Sequence, residues 1–187
     1  MDKKLFKVIA CWVLALSCNH SIANQIIPAA NEREFLFCSA DNAPKYEVAF
    51  SPKQGATELV ISAINKAKKQ IYVAAYSFTS QSIADALIKA HKRGVEVKLI
   101  LDKSGSNDRS CKLKCLKSEH IPIRISNKDK MHNKFMVIDA EKVQLGSFNY
   151  SKSAEDKNAE NVLVINNCPQ LASLYMRAWQ DLWDKGK

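Results

Sequence analysis

His132, Lys134 and Asp139 stand in the pattern HxKxxxxD, Gly146, Ser147 and Asn149 follow as GSxN, and Glu160 with Asn161 closes the stretch. By typical residue frequencies the first pattern alone arises by accident in roughly one chain per hundred of this size. These residues hold the parts that cleavage of a phosphodiester requires: a nucleophile, a proton for the leaving alkoxide, and positive charge against the phosphoryl oxygens. A neutral imidazole can attack phosphorus, and a protonated one can release its proton near neutral pH. Lys134 supplies fixed positive charge, and Ser147 and Asn149 can donate hydrogen bonds to the same oxygens. Two ordinary strands with polar rims would carry similar residue types, but not at this combined spacing.

The elements that must position these groups are legible as patterns. Residues 134–139 read as a buried strand and 143–149 as its neighbour, joined by a short turn at 140–142. Period-two alternation puts His132 and Lys134 on one face of the first strand, and Ser147 with Asn149 on one face of the second. Four polar groups thereby converge on one patch. Upstream, 46–50 alternates as a strand that Ser51-Pro52 ends. Residues 55–69 form an amphipathic helix with Leu59, Val60, Ala63, Ile64 and Ala67 in one stripe. Residues 71–78 are apolar on both faces, as a central strand requires. Ser80 caps a helix that carries Ile83, Ala84, Leu87 and Ile88 and stops at Gly94. Residues 95–101 make a further strand, closed by Asp102. Downstream, 159–165 is a strand. Pro169 opens a helix whose apolar side carries Leu171, Leu174, Tyr175, Ala178, Leu182 and Trp183, a core or oligomer face, with membrane binding as the lesser reading. Alternating strands and helices predict an α/β layered fold. Ser77, Phe78 and Thr79 follow a strand end, where such sheets place ligands, but read as packing and capping. His91 and His120 lack a lysine two residues on and read as structural.

With GSxN at its fixed offset from HxKxxxxD, the accidental rate falls to roughly a few per million. The combination resembles the signature of the phospholipase D superfamily, the HKD phosphodiesterases. The resemblance covers about residues 47–183 and is nearest the small, secreted, single-motif bacterial endonucleases of that superfamily. It implies a mixed β-sheet flanked by helices on both faces, with one HKD motif per chain. The family uses two histidines, one attacking phosphorus and one protonating the leaving group, and water then hydrolyses the phosphohistidine. Only one HxK is present here, so the resemblance implies a homodimer with a shared active site. It also implies that Glu160 hydrogen-bonds the imidazole, that Asp139 supports the site, and that neither metal nor cofactor is needed.

The 187 residues suit one domain, and 47% hydrophobic content argues against disorder. Residues 1–23 read as a signal peptide: Lys3, Lys4 and Lys7 precede a short apolar run, and Ser21-Ile22-Ala23 offers a cleavage site. A lipoprotein cleavage at Cys18 is the alternative. Residues 24–45 read as an arm or linker and 46–187 as the phosphodiesterase domain, secreted or periplasmic after cleavage near Ala23, with no later segment able to span a membrane. Cys38, Cys111, Cys115 and Cys168 then remain, which allows three disulfide pairings; Cys111–Cys115 with Cys38–Cys168 is the expected one. A zinc site from Cys111, Cys115 and His120 is the alternative. The formal charge of +9 implies an anionic partner. With the basic run at 109–130, it favours a non-specific endonuclease on DNA, or RNA as well. The alternatives are a phospholipase D hydrolysing phosphatidyl lipids, and an inactive nucleic-acid-binding relative.

Overall fold

Strand β2 (Gln70–Ala75) lies inside one seven-stranded sheet and joins its antiparallel part to its parallel part. The structure, a computed structural model, describes residues 43–128 and 130–187. The expected signal peptide, most of the expected arm, and Cys38 with its expected pairing lie outside the described residues. In chain order the other elements are β1 (Lys45–Ser51), α1 (Ala56–Asn65), α2 (Gln81–Lys92), β3 (Glu96–Leu101), α3 (Lys103–Ser106) and α4 (Leu113–Ser118). Then come β4 (Ile123–Ile125), β5 (Lys134–Ile138), β6 (Lys142–Gly146), α5 (Lys152–Asp156), β7 (Glu160–Asn166) and α6 (Pro169–Lys185). The sheet order is β1-β7-β6-β5-β2-β3-β4. β2 runs parallel to β3 and antiparallel to β5, and β5, β6, β7 and β1 continue antiparallel. The sheet is mixed, as expected.

Both faces of β2 are covered, which suits its run of Ile71, Tyr72, Val73, Ala74 and Ala75. On one side α1, α2 and α4 bring Val60, Ile64, Ile83, Leu87 and Leu116 onto Ile71, Val73, Leu99 and Met136. On the other, α6 brings Ala172, Trp179 and Leu182 onto Ala74, Ile100, Phe135, Val137 and Val143. Trp179 stacks on Tyr72 and Trp183, and its indole N–H donates to the Val73 carbonyl at 2.9 Å, so the largest core side chain leaves no polar group unpaired. The face of α6 is thus core. Ala178, expected in its stripe, is exposed, and Trp179 takes the inward place. Past β6 no helix among the described residues covers that sheet face: on edge strand β1, Tyr46, Val48 and Phe50 are 63%, 58% and 51% exposed.

Local chemistry moves several expected boundaries. The first helix ends at Asn65 because the amides of Lys68, Lys69 and Gln70 turn away to the Asp139 carboxylate, at 2.7–3.2 Å. The turn after β5 starts one residue early, with Asp139 and Ala140 at φ 54° and 57°. The second strand of the motif ends at Gly146, not Asn149, because Gly146 takes φ 148° with the Asn161 carbonyl 2.2 Å from where a Cβ would stand. Ser80 caps α2 as expected, accepting from the Ile83 amide. The short α5, capped by Ser151, carries too little periodicity to be read from sequence. Cys111 and Cys115 are both thiols, contrary to the expected disulfide; the Cys115 thiol donates to the Lys112 carbonyl.

Asp139 gives this fold a clear test. Burial pulls its carboxyl upward, but the amides of Gln70, Lys69 and Lys68, with Lys142 nearby, outweigh that and hold it below the usual aspartate range. A depressed folded value means its contribution is full above the unfolded value of about 3.9 and is lost as pH falls through the folded one. Asp139→Ala should cost about 1–3 kcal/mol at pH 7, since three amides lose their acceptor, and less at acid pH. Urea unfolding at both pH values checks this; an equal loss at both would show that the charge contributes nothing.

Candidate active site

One edge of the sheet gathers the site. Ala75 at the end of β2 pairs with Lys134 at the start of β5, Gly146 at the end of β6 pairs with Val162, and Glu160 at the start of β7 pairs with Ser51. His132 lies just before β5, exposed, while Lys134 is buried at 8% exposure. The Lys134 ammonium donates to the His132 carbonyl at 2.5 Å and lies 2.9 Å from His132 Nδ1. The carbonyl takes one of its three N–H groups.

The GSxN segment leaves β6 at the same edge. Ser147 Oγ accepts from the Asn161 backbone amide at 3.1 Å and from its side-chain amide at 3.3 Å, so the hydroxyl proton remains to donate outward. Asn149 Oδ1 is enclosed without a hydrogen-bond partner among the described residues. Phe148, between them, is fully buried, which preserves the expected alternation beyond the strand's end.

Two expected members behave differently. Asp139 sits at the far end of β5, on the order of 16 Å from Lys134 along a five-residue strand. There it ties the α1–β2 connection and cannot touch the reacting groups. Glu160 is at the correct edge, but its carboxylate accepts from the Asn158 side-chain amide at 3.1 Å and makes no hydrogen bond to His132 among the described residues. Strand β6 stands between β7 and the entrance of β5 that carries His132, and within one chain Glu160 acts as a charge on Lys134.

Tyr76 and Asp102 belong to the site although sequence reasoning did not select them. The Tyr76 ring lies 4.4 Å from the His132 ring, with the Lys134 and Lys130 ammonium groups 5.1 and 5.8 Å from its centroid. Asp102, 1% exposed, accepts from the Met131 amide at 2.7 Å, directly before the histidine. Both follow the C-terminal ends of adjacent parallel strands, and that position was the available signal. Ser77, Phe78 and Thr79, weighed at the same strand end, are packing and capping residues. Phe78 is fully buried against Tyr150, and Thr79 Oγ1 accepts from the Lys152 amide. Among the described residues no three His, Cys, Asp or Glu side chains converge as a metal site, so Cys111, Cys115 and His120 are not brought together as zinc ligands.

The electrostatics favour a neutral imidazole. Desolvation against its neighbours lowers the His132 pKa even though the residue is exposed overall; Lys134 and Lys130 lower it further, and Asp102 opposes them. Burial also pushes the Lys134 ammonium down, countered by Glu160 and Asp102. At neutral pH the ring is therefore mostly neutral.

Fold and site together define an α/β phosphoric diester hydrolase. The family described as Cardiolipin synthase, PLD-like domain, matches residues 60–183. The protein called Phospholipase D in Rickettsia conorii is 38% identical over 136 residues, spanning 72% of this chain and 68% of that one. Nuc, a phospholipase D family member of known structure from Salmonella typhimurium, is 41% identical, with a TM-score of 0.74 over 78% of this chain and 97% of that one. NucT from Helicobacter pylori, at 24% identity, shares the fold with a TM-score of 0.67 over 77% of this chain and 98% of that one. The chain belongs to the phospholipase D superfamily.

Titration of the His132 ring by NMR checks the electrostatic account. Its midpoint should fall below the ordinary histidine value of about 6.5. Lys130→Ala removes a positive charge and should move it upward; an unchanged midpoint would show that Lys130 does not act on the ring.

Proposed function

We propose that this phosphodiesterase is an endonuclease acting without metal on DNA, and on RNA as well, through a phosphohistidine. The carrying observation is the set of exposed cations in the chain between the exit of β3 and His132, namely Lys103, Arg109, Lys114, Lys117, Lys128 and Lys130, of which Lys130 stands 5.8 Å from the Tyr76 ring at the site. A polyanion laid along this run would present its phosphodiester to Lys134. The 41% identity to Nuc over nearly all of that chain supports the same reading.

Each chain supplies one His132, so the reaction needs a second copy. One His132 attacks phosphorus, and the P–O bond to the leaving group breaks as the partner histidine gives the alkoxide a proton. That partner histidine then takes a proton from water, which splits the P–N bond and restores the nucleophile. Lys134, Ser147 and Asn149 stabilise the phosphoryl oxygens in both steps. Tyr46, Val48 and Phe50 support the dimer. Their apolar row is exposed and reaches the site edge, where Phe50 pairs with Asn161. Glu160, unused by its own imidazole, lies at that edge too.

Lipid hydrolysis is the second reading, favoured by the 38%-identical relative called Phospholipase D. The catalytic groups would be the same. Among the described residues no helix is long and apolar enough to cross a membrane, so lipid would have to be met at a surface. Export through residues 1–23 is part of the proposal and places the enzyme outside the cytoplasm.

Purified protein should nick plasmid DNA in excess EDTA and leave phosphatidylcholine vesicles intact; the reverse pattern would establish the lipase. DNA binding by His132→Ala should weaken about tenfold or more between roughly 50 and 200 mM salt. Co-expression of wild-type and His132→Ala chains in equal amounts should leave about one quarter of the activity, because only wild-type pairs hold both histidines. A site complete in each chain would leave about one half, and an active isolated mixed dimer would sink the shared site.

A further inference from the structure

We infer that Asp102 is a positioning residue for His132: its buried carboxylate clamps the loop that carries the histidine and sets a negative charge behind the cationic cluster. This role presupposes a catalytic His132 and adds to it a residue from a different strand.

The two oxygens of Asp102 do different work. Oδ1 accepts from the Ser104 amide at 2.8 Å, the Ser104 hydroxyl at 2.5 Å and the Gly105 amide at 3.4 Å, which caps α3. Capping requires one oxygen, and serine or asparagine would serve as well. Oδ2 instead reaches 29 residues along the chain to the Met131 amide. Every group around the carboxylate donates, so only an acceptor on both sides satisfies them, and an asparagine would set an N–H against an N–H. The turn it caps is wedged in place: a Cβ on Gly105 would stand 1.8 Å from the Tyr76 carbonyl. Tyr76 in turn packs its ring on His132. Asp102 therefore joins the exits of β2 and β3 to the loop before β5.

Its charge is placed to matter. The groups facing the imidazole are Lys134 from β5, Lys130 on its own loop, Tyr76 from the exit of β2 and Asp102 from the exit of β3. Glu160 on β7 acts one step away, on Lys134. Burial raises the Asp102 carboxyl, but the hydrogen bonds from Ser104, Met131 and Gly105 outweigh it, and the group stays ionised at neutral pH. It is the one negative charge in that set acting on the ring, and it draws the imidazole pKa upward, toward the range in which a histidine both gives and takes protons.

Asp102→Asn keeps the size, removes the charge and breaks the Met131 contact. With the melting temperature showing a folded protein, the His132 NMR midpoint should move further down. The kcat on bis(p-nitrophenyl) phosphate should fall roughly tenfold or more, with KM within about twofold, as misplacement of a reacting group demands. An unmoved midpoint or an unmoved kcat in the folded variant overturns the assignment. Should the variant not fold, amide exchange in wild-type protein decides. Met131 should be protected although it lies outside any strand, and exchange at an open-loop rate overturns the clamp. Wild-type protein that turns over no phosphodiester would remove the catalytic reading of His132. The midpoint shift and the Met131 exchange would then decide alone whether Asp102 holds that residue.

Discussion

The antiparallel seam between β2 and β5 is the constraint on which the molecule turns. β2 accepts a parallel neighbour on one side and an antiparallel one on the other, so the exits of the parallel strands and the entrance of β5 meet at one edge. Pairing of Ala75 with Lys134 brings the lysine to that edge, and the residues just outside the pair, Tyr76 and His132, come into ring contact. A one-residue slip in this register would turn Lys134 and His132 together toward the opposite face and part the imidazole from the Tyr76 ring. The two cores, one on each sheet face, forbid that slip because β5 is buried along its whole length.

A buried ammonium needs compensation. Lys134 receives it from the His132 carbonyl and imidazole and from the charges of Glu160 and Asp102. These partners come from β5, β7 and β3, so the lysine depends on the sheet being complete. Gly146 tightens the same edge, since only a glycine lets the Asn161 carbonyl approach the end of β6. Ser147 and Asn161 then hold each other, and the hydroxyl faces outward with its proton unused. An anion arriving here meets donors that already have fixed positions, the arrangement that makes electrostatic stabilisation effective.

The third residue of HxKxxxxD does different work from the first two. A five-residue strand carries Asp139 to the opposite edge, where it accepts three amides and ends α1 early. The motif thus couples chemistry at one end of a strand to anchorage at the other, and both ends set the position of β5. Spacing along a strand is a length, and the length alone rules out a shared site.

The sequence by itself determined the order of most strands and of the three long helices, the α/β class, the nearness of His132 to Lys134, and the superfamily. These rest on period-two and helical patterns and on short-range spacing, which a single chain displays directly. It also determined that Leu171, Tyr175, Leu182 and Trp183 would lie on the apolar side of α6, though Ala178 was placed there where Trp179 stands. Only the tertiary structure decided that Tyr76 and Asp102 stand beside His132, because contacts across 29 or more residues depend on strand order, which periodicity does not encode. It decided that Cys111 and Cys115 are thiols, since a backbone carbonyl takes the Cys115 thiol inside a short helix. And it decided that Glu160 acts on Lys134 and makes no hydrogen bond to the imidazole of its own chain among the described residues, because β6 lies between β7 and β5 and no local pattern could fix that approach.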